Sequence, residues 1–339
     1  MKIIVDEAIP FFKGRLPENV DVVALPSKNI TPESIRNADA LIVRTRTQCN
    51  PALLKDSSVR LVVTATIGTD HIDIQWCNDN GIEIRNAPGC NAPGVAQYVL
   101  ASLFRLDFNP QKHTLGVIGY GNVGKIVVDW ARQIGIKVFV SDPPLKAAGN
   151  NDEDYLDLDK LFRVCDAVTL HVPLTKIGQF PTYKMIGSQQ LEMMKPGAIL
   201  VNSSRGGVVD EKALKKSLRN GSLKAVLDVW ENEPGIDPEL LNLVRISTPH
   251  IAGYSAEGKK RATRMALEAL SDFLGITVDL KGLECLPSPN KKISTQLITD
   301  SYNPDFDSCQ LKKDITSFEK LRNEYPYRHE PLFNDDTHL

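Results

Sequence analysis

The sequence has few of the features that mark a secreted, metal-binding or membrane protein. Its 6 cysteines are widely spaced and form no C-x-x-C pair, so we expect reduced thiols in a cytoplasmic protein rather than a disulfide framework or a zinc site. No run approaches the roughly 20 apolar residues that a membrane helix needs. The opening residues 1–7, MKIIVDE, predict a strand, because a signal peptide needs a longer uncharged apolar run.

The chain also lacks an excess of either charge. Its 40 Lys and Arg residues against 42 Asp and Glu residues leave a formal net charge of -2, and the basic residues are scattered. This balance argues against a nucleic-acid surface and against a polybasic membrane patch. We therefore expect no nucleic-acid or membrane partner and no metal. The 339 residues suffice for two domains with cores of their own.

Short apolar strands alternate with helices through most of the chain. This alternation predicts parallel sheets and the α/β fold class. Residues 88–94, PGCNAPG, predict a loop at a domain border, and residues 95–106 a helix. After residue 280 the chain becomes polar and proline-bearing, and it keeps one clear helix signal near residues 316–322.

A glycine-rich motif, G-x-G-x-x-G, lies between a predicted strand and a predicted helix. Gly119 permits a tight turn, Gly121 lets backbone approach a pyrophosphate, and Gly124 allows close helix packing. The helix N-terminus offers free N–H groups to the phosphates. Asp142, which ends the next strand, can accept hydrogen bonds from the adenosine ribose and would repel a 2′-phosphate. The motif therefore predicts NAD as the cofactor.

Three groups of catalytic type follow three later strands of the same predicted domain. They are the guanidinium of Arg205, the carboxylate of Glu233 and the imidazole of His250. Taken singly, they could be a surface cation, a solvated acidic loop and a structural histidine. Together they suit the oxidation of an alcohol beside a carboxylate, because the cation holds the substrate and the imidazole, oriented by the carboxylate, takes the hydroxyl proton.

Several strings resemble the D-2-hydroxyacid dehydrogenase superfamily. Within it, the chain is similar to the branch that acts on 4-phospho-D-erythronate in vitamin B6 biosynthesis. The strings that carry the resemblance are residues 65–73, ATIGTDHID; 87–92, APGCNA; 227–234, LDVWENEP; and 250–254, HIAGY.

The resemblance implies a Rossmann-type NAD-binding domain plus a flavodoxin-like substrate domain, with a small C-terminal dimerisation segment. The substrate domain would comprise residues 1–92 and 256–280, the NAD-binding domain residues 93–255, and the dimerisation segment residues 281–339. A homodimer in the cytoplasm is expected.

The resemblance also implies roles for particular residues. The catalytic residues would be Arg205, Glu233 and His250. The cofactor would be bound by Gly119, Gly121, Asn122, Val123, Gly124, Asp142, Val172, Ser203, Ser204, Arg205, Asp228 and Gly253. The substrate would be contacted by Arg44, Thr45, Thr66 and Tyr254.

The implied substrate is a small phosphorylated 2-hydroxy acid, and the catalytic groups alone do not select it. Arg44 and Arg46 are candidates to bind the phosphate, although ordinary surface charge explains them equally well, and Arg328 is a further candidate if it reaches across a dimer. Two other functions remain open. One is another 2-hydroxyacid dehydrogenase, such as 3-phosphoglycerate dehydrogenase, and the other is a non-catalytic NAD-sensing protein of the same fold.

Overall fold

The structure is a computed structural model that describes residues 1–288 and 291–333. The chain forms two compact units. The first contains Met1–Asn91 and Ser255–Leu286, and the second contains Ala92–Tyr254 and Pro287–Leu339. The C-terminal segment expected at residues 281–339 is therefore not a compact unit of its own, because its described residues divide between these two units.

The described residues contain two sheets, and every pair of neighbouring strands in them is parallel. The strands are β1 Lys2–Asp6, β2 Asp21–Leu25, β3 Ala40–Val43, β4 Leu61–Thr64, β5 Glu83–Arg85, β6 Thr114–Ile118, β7 Lys137–Ser141, β8 Ala167–Leu170, β9 Ala198–Asn202, β10 Leu223–Leu227 and β11 Ile246–Ser247.

Helices connect most of these strands, as parallel pairing requires. The α-helices of the described residues are α1 Pro32–Ile35, α2 Pro51–Leu54, α3 Ile74–Asp79, α4 Ala92–Arg105, α5 Asn122–Gln133, α6 Pro143–Ala147, α7 Leu158–Val164, α8 Ser188–Met193, α9 Glu211–Arg219, α10 Pro238–Leu243, α11 Ala256–Leu274, α12 Thr295–Ser301, α13 Pro304–Lys313 and α14 Phe318–Asn323.

The first unit is built on a five-stranded sheet in the order β2-β1-β3-β4-β5. This is the flavodoxin order. Strands β3 and β4 are buried along their whole length, because both faces of the sheet are covered. Leu41 and Val43 pack into one hydrophobic cluster, while Ala40 and Ile42 pack into another that includes residues of α11. Alternate side chains thus supply the two faces.

The second unit is built on a six-stranded sheet in the order β11-β10-β9-β8-β6-β7. Beyond β7, Tyr155 forms a single parallel bridge to Val140, at the position where a Rossmann sheet has its third strand. The chain order reverses at β6, which lies between β7 and β8. This reversal is the switch point at which such sheets bind nucleotides. The predicted α/β class, with flavodoxin-like and Rossmann-type parts, is confirmed.

The C-terminal residues contain more helix than the sequence indicated. One helix was expected near residues 316–322, but three are present, namely α12, α13 and α14. Ile298 of α12 and Leu311 of α13 are fully buried in the hydrophobic clusters of the second unit. The prediction was wrong here because these helices are short and depend on burial against the sheet domain rather than on a strong pattern of their own.

A second difference lies at the predicted border loop. Helix α4 begins at Ala92, within the string expected to be a loop, so Pro93 occupies the first turn of the helix, where a missing backbone N–H costs nothing. Among the described residues, no helix has both the length and the apolar composition needed to cross a membrane. All six cysteines lie within the described residues, and none of them forms a disulfide with another.

Candidate active site

The glycine loop after β6 has the backbone that a pyrophosphate site requires. Gly119 adopts a φ of +91, and a Cβ there would lie 2.4 Å from the carbonyl oxygen of His171. A Cβ on Gly124 would lie 1.9 Å from the carbonyl oxygen of Gly119. Around Gly121, by contrast, no atom lies within 4 Å of a built Cβ. Two of the glycines thus serve packing, and the third leaves open space at the start of α5.

The first residues of α5 and the end of β7 complete this nucleotide site. Asn122 and Val123 open the helix, and Gly121 caps it without a side-chain hydrogen bond, which leaves N–H groups for phosphate oxygens. The Asp142 carboxylate accepts hydrogen bonds from the backbone N–H of Tyr120 at 2.7 Å and of Leu145 at 3.0 Å. It keeps acceptor capacity for ribose hydroxyls. The residues present therefore fit a dinucleotide with a free 2′-hydroxyl.

The loop after β9 carries Arg205 and is shaped by Asn202. The side-chain oxygen of Asn202 accepts hydrogen bonds from the backbone N–H of Ser204 at 3.1 Å and from its hydroxyl at 2.8 Å. Its amide nitrogen donates to the carbonyl of Arg205 at 3.0 Å. A Cβ on Gly206 would lie 1.8 Å from the carbonyl oxygen of Trp230. The loop therefore lies directly against the backbone that follows β10.

Glu233 and His250 form a hydrogen-bonded pair. The Nδ1 atom of His250 lies 2.8 Å from Oε2 of Glu233, and the Oε1 atom accepts a hydrogen bond from the backbone N–H of Trp230 at 3.0 Å. Burial raises the pKa of Glu233, but His250 and Arg322 outweigh it and hold that pKa below its ordinary value. Because the ionised carboxylate of Glu233 lies beside Nδ1, the proton of the neutral imidazole stays on Nδ1, and Nε2 is left as the base.

Asp228 holds the loop on which the histidine lies. Its carboxylate is 1% exposed. It accepts hydrogen bonds from the backbone N–H of Ile251 at 2.8 Å and of Ala252 at 2.9 Å, and from the hydroxyl of Thr248 at 2.6 Å. His250 itself adopts a φ of 60, a left-handed conformation that costs a non-glycine residue free energy. The predicted contact of Asp228 with NAD stays a prediction.

The remaining predicted cofactor residues lie at the same edge of the sheet. Val172 follows β8, and its Cγ1 atom would lie 3.0 Å from a Cβ on Gly119. Ser203 directly follows β9, and its hydroxyl is buried with no hydrogen-bond partner among the described residues. Gly253 belongs to the turn that Asp228 holds. Because the strands are parallel, their carboxyl ends bring these loops to the edge where Gly119 lies.

The predicted substrate residues divide between the two units. In the first unit, the Nε atom of Arg44 lies 3.3 Å from the Asp6 carboxylate, and Thr45 is exposed. The hydroxyl of Thr66 donates to the carbonyl of Gly68 at 3.0 Å. In the second unit, Tyr254 follows the histidine turn. Their roles toward a substrate stay predictions.

One candidate for binding the substrate phosphate is wrong. Arg328 is held by its own chain, and its guanidinium lies 4.2 Å from the ring centroid of Tyr302. The groups that accept its hydrogen bonds are the side chains of Gln97 and Tyr325 and the carbonyls of Gly94, Ile251, Ala252 and Tyr254. Its donors are committed to these groups, so Arg328 is structural.

Sequence reasoning missed three residues that hold the predicted site residues in place, namely Asn202, Thr248 and Arg322. Asn202 ends a strand and precedes a serine, which is a recognisable signal for a side-chain turn. Thr248 precedes Pro249, and its hydroxyl forms a hydrogen bond with the hydroxyl of Tyr98 at 2.7 Å. Arg322 lies in α14, and its Nη1 atom is 3.6 Å from Oε2 of Glu233. No local pattern could have paired two residues so distant in the chain.

No metal centre accompanies these groups within residues 1–288 and 291–333, where no set of three or more His, Cys, Asp or Glu side chains could hold an ion.

The comparison with protein families matches the second unit. The family described as "D-isomer specific 2-hydroxyacid dehydrogenase, NAD binding domain" matches residues 102–252. This range contains the glycine loop, Asp142, Arg205, Glu233 and His250. The cofactor of the chain is NAD, in agreement with the open phosphate loop and the ribose carboxylate.

Relatives and solved structures cover both units. An erythronate-4-phosphate dehydrogenase of Bacteroides fragilis is 45% identical over 97% of this chain and 97% of its own length. One of Pseudomonas fluorescens is 38% identical over 97% of this chain and 93% of its own. The NAD⁺-bound 3-phosphoglycerate dehydrogenase of Entamoeba histolytica is 27% identical, covers 84% of this chain and 99% of its own, and superposes with a TM-score of 0.67.

These relatives match nearly the whole length of the chain, and the solved structure shares its fold. The chain therefore belongs to the D-isomer specific 2-hydroxyacid dehydrogenase family, in its erythronate-4-phosphate dehydrogenase branch.

Proposed function

We propose that this chain is a cytoplasmic homodimer that oxidises 4-phospho-D-erythronate to (R)-3-hydroxy-2-oxo-4-phosphooxybutanoate with NAD, a step of pyridoxal 5′-phosphate (vitamin B6) biosynthesis. The observation that carries the proposal is the 2.8 Å contact between Glu233 and His250, at the edge of the sheet where the NAD loop and Arg205 also lie. The names of the Bacteroides and Pseudomonas relatives support the substrate. They do not favour 3-phosphoglycerate oxidation or a non-catalytic NAD-sensing role.

Side chains of this protein accept the substrate's hydroxyl proton and orient the substrate. Arg205 stays charged and binds the substrate carboxylate through paired N–H groups. His250 accepts the hydroxyl proton at Nε2, and Glu233 stabilises the imidazolium that results. NAD, when bound next to the glycine loop, would supply the acceptor for the hydride that leaves the substrate carbon bearing this hydroxyl. The substrate C–O bond thereby becomes a carbonyl, and the product keeps its 3-hydroxyl and its phosphate.

The phosphate would be bound by cations of the first unit. The Arg44 guanidinium is oriented by the buried Asp6 carboxylate, with 3.3 Å between Nε and Oδ2, and this pair leaves part of its fork available. Arg46 lines a cavity of about 310 Å³ together with Thr47, whose buried hydroxyl has no hydrogen-bond partner in the part of the chain that the structure describes. A tetrahedral anion would satisfy such a hydroxyl. We include both arginines in the proposal.

The test of the function is turnover of a panel of phosphorylated and non-phosphorylated 2-hydroxy acids with NAD. We expect 4-phospho-D-erythronate to give a kcat/KM at least about 10²-fold above that of 3-phosphoglycerate, because a site built around a charged group rejects substrates that place it elsewhere. His250→Asn should abolish turnover and still bind NAD. A preference for another substrate, or unchanged turnover in the variant, would remove the proposal.

The phosphate contacts are tested separately with Arg44→Ala and Arg46→Ala. Each is expected to lower kcat/KM for the phosphorylated substrate far more than for a non-phosphorylated 2-hydroxy acid. The matched control is Arg60→Ala, because Arg60 lies in the same unit, has 61% of its side chain exposed and forms a surface ion pair with Asp39. Equal losses on both substrate types would exclude the arginine concerned as the phosphate contact.

A further inference from the structure

A buried cation from the C-terminal helices reaches the catalytic pair. Arg322 belongs to α14 and is only 9% exposed. Its Nη1 atom lies 3.6 Å from Oε2 of Glu233, the same oxygen that meets Nδ1 of His250 at 2.8 Å. One carboxylate oxygen is therefore shared by an imidazole and a guanidinium. A charge buried to this degree is stable only beside a counter-charge.

The same guanidinium also holds a predicted substrate residue. The side chain of Arg322 hydrogen-bonds that of Tyr254. The ring of Tyr254 meets the rings of Tyr325 and Tyr327 edge-on, with centroid distances of 6.1 and 6.5 Å. Arg322 thus links the carboxylate that orients the base to the tyrosine that follows the base in the chain.

One hydrogen-bond donor of Arg322 has no partner within the described residues. Its Nε atom is buried and makes no hydrogen bond. A buried N–H without a partner is unfavourable, so the position of this guanidinium is set by its contacts with Glu233 and Tyr254 rather than by full satisfaction of its donors. A purely structural arginine, such as Arg328, has its donors committed to carbonyls and side chains instead.

We propose that Arg322 is a positioning residue of the dehydrogenase site. It fixes Glu233 and Tyr254 relative to each other, and it shares the charge of Glu233 so that the carboxylate does not over-stabilise the protonated form of His250. This proposal rests on the proposed oxidation of a 2-hydroxy acid. It assigns to the C-terminal segment a part in positioning the catalytic groups, in addition to its packing.

The charged groups around Glu233 and His250 determine whether removal of Arg322 raises or lowers the pH at which the neutral base appears. Glu233 faces His250 and Arg322, and it also lies near Glu211 of α9, whose pKa is raised to about 7 by burial and by Glu231, Asp237 and Glu233. Tyr254 and Asp228 also interact electrostatically with Arg322. Without the Arg322 cation, the negative charge of Glu233 acts on His250 alone. The imidazolium becomes more stable, and the neutral base appears only at higher pH.

The experiment is the pH profile of kcat/KM for oxidation by Arg322→Met and Arg322→Ala. The acidic limb of both variants should move up by about 1 pH unit, with a fall of roughly 10-fold at the optimum. Arg322→Lys keeps the cation, so its limb should stay near that of the wild type. In Arg322→Ala, added guanidinium should return the limb toward its original position.

Two controls separate this effect from general damage. Lys320→Met removes an exposed cation from the same helix and should leave the profile unchanged. Glu211→Gln removes the neighbouring group whose pKa lies near 7, so a limb that disappears in this variant belongs to Glu211 rather than to the base. If Arg322→Met fails to fold, the Lys variant and the guanidinium titration decide the matter.

The proposal is overturned if the limbs of the Ala and Met variants coincide with that of the wild type, or if Arg322→Lys shifts as far as Arg322→Ala. Those results leave the proposed function intact, because the wild type still turns over. Absence of turnover in the wild type on every 2-hydroxy acid would instead remove the proposed function.

Discussion

A single buried carboxylate, that of Asp228, decides where the imidazole of His250 lies. Three donors converge on it, from the backbone of Ile251 and Ala252 and from the hydroxyl of Thr248. These bonds compensate the left-handed backbone of His250. The sequence shows that Asp228 is an acidic residue at a strand end. It does not show that Asp228 anchors a loop, because the hydrogen-bond donors come from residues about twenty positions further along the chain.

We expect Asp228→Asn to damage both stability and turnover. An amide offers one acceptor oxygen where the carboxylate offers two, so one donor is left unsatisfied and an N–H faces another N–H. The loss of stability should be about 2–3 kcal/mol, with kcat lowered by roughly 10²-fold as the imidazole moves. Chemical denaturation and steady-state kinetics measure the two effects.

The matched control for this change is Asp159→Asn, since Asp159 is exposed in the first turn of α7. It should alter stability by less than about 0.5 kcal/mol and leave kcat unchanged. Wild-type kcat in Asp228→Asn would contradict the anchoring role.

The strand-to-helix unit β6–α5 combines two different requirements for glycine. Gly124 must lack a side chain because the carbonyl of Gly119 occupies the place of a Cβ, at 1.9 Å. Gly121 has open space around it, and its φ of -82 suits any residue. The sequence motif predicted different roles for these glycines, and the structure gives the physical basis of the difference. A Cβ is excluded at Gly124, whereas open space surrounds Gly121.

This difference predicts opposite outcomes for two alanine substitutions. Gly121→Ala should fold with wild-type stability and weaken NAD binding by roughly 10-fold or more, because the methyl group enters the space where the pyrophosphate approaches. Gly124→Ala should destabilise the fold by about 1–3 kcal/mol through overpacking. Thermal unfolding and NAD titration by calorimetry distinguish them. Equal stability losses in both variants would contradict this division.

At the scale of the whole molecule, the C-terminal helices belong to the NAD-binding unit. Ile298 and Leu311 are buried in its hydrophobic clusters, each contributing roughly 1.5–3 kcal/mol by burial. Arg328 adds hydrogen bonds to carbonyls of the turn that follows His250. Dimerisation remains a proposal, and these residues are needed for the second unit whether or not they also meet a partner subunit.

Arg328→Met is therefore expected to destabilise the second unit by about 3–5 kcal/mol, because several buried carbonyls lose their donor at once. Urea denaturation measures this change. Arg105→Met, which removes a half-exposed arginine paired with Asp305, should cost less than about 1 kcal/mol. Light scattering on both proteins reports the oligomeric state, and a dimer that persists in the destabilised variant would show that Arg328 acts within the subunit.

The sequence by itself determined the fold class, the cofactor and the type of reaction. These follow from local chemistry, because a glycine loop between strand and helix with an acid at the next strand end specifies a dinucleotide. The strings around Cys90 and His250 indicated the branch of the family. The position of a motif was predictable wherever the motif followed a strand, since parallel strands bring their carboxyl ends to one edge of the sheet.

Only the tertiary structure decided which residues support the motif residues. It showed Arg328 to be structural, divided the C-terminal residues between the two units, and brought Arg322 to Glu233 across nearly ninety residues of sequence. Such pairings depend on packing between distant segments, and no local pattern encodes them. The physical reason is that burial creates the need for a counter-charge or a donor, and the fold alone determines which chain segment supplies it.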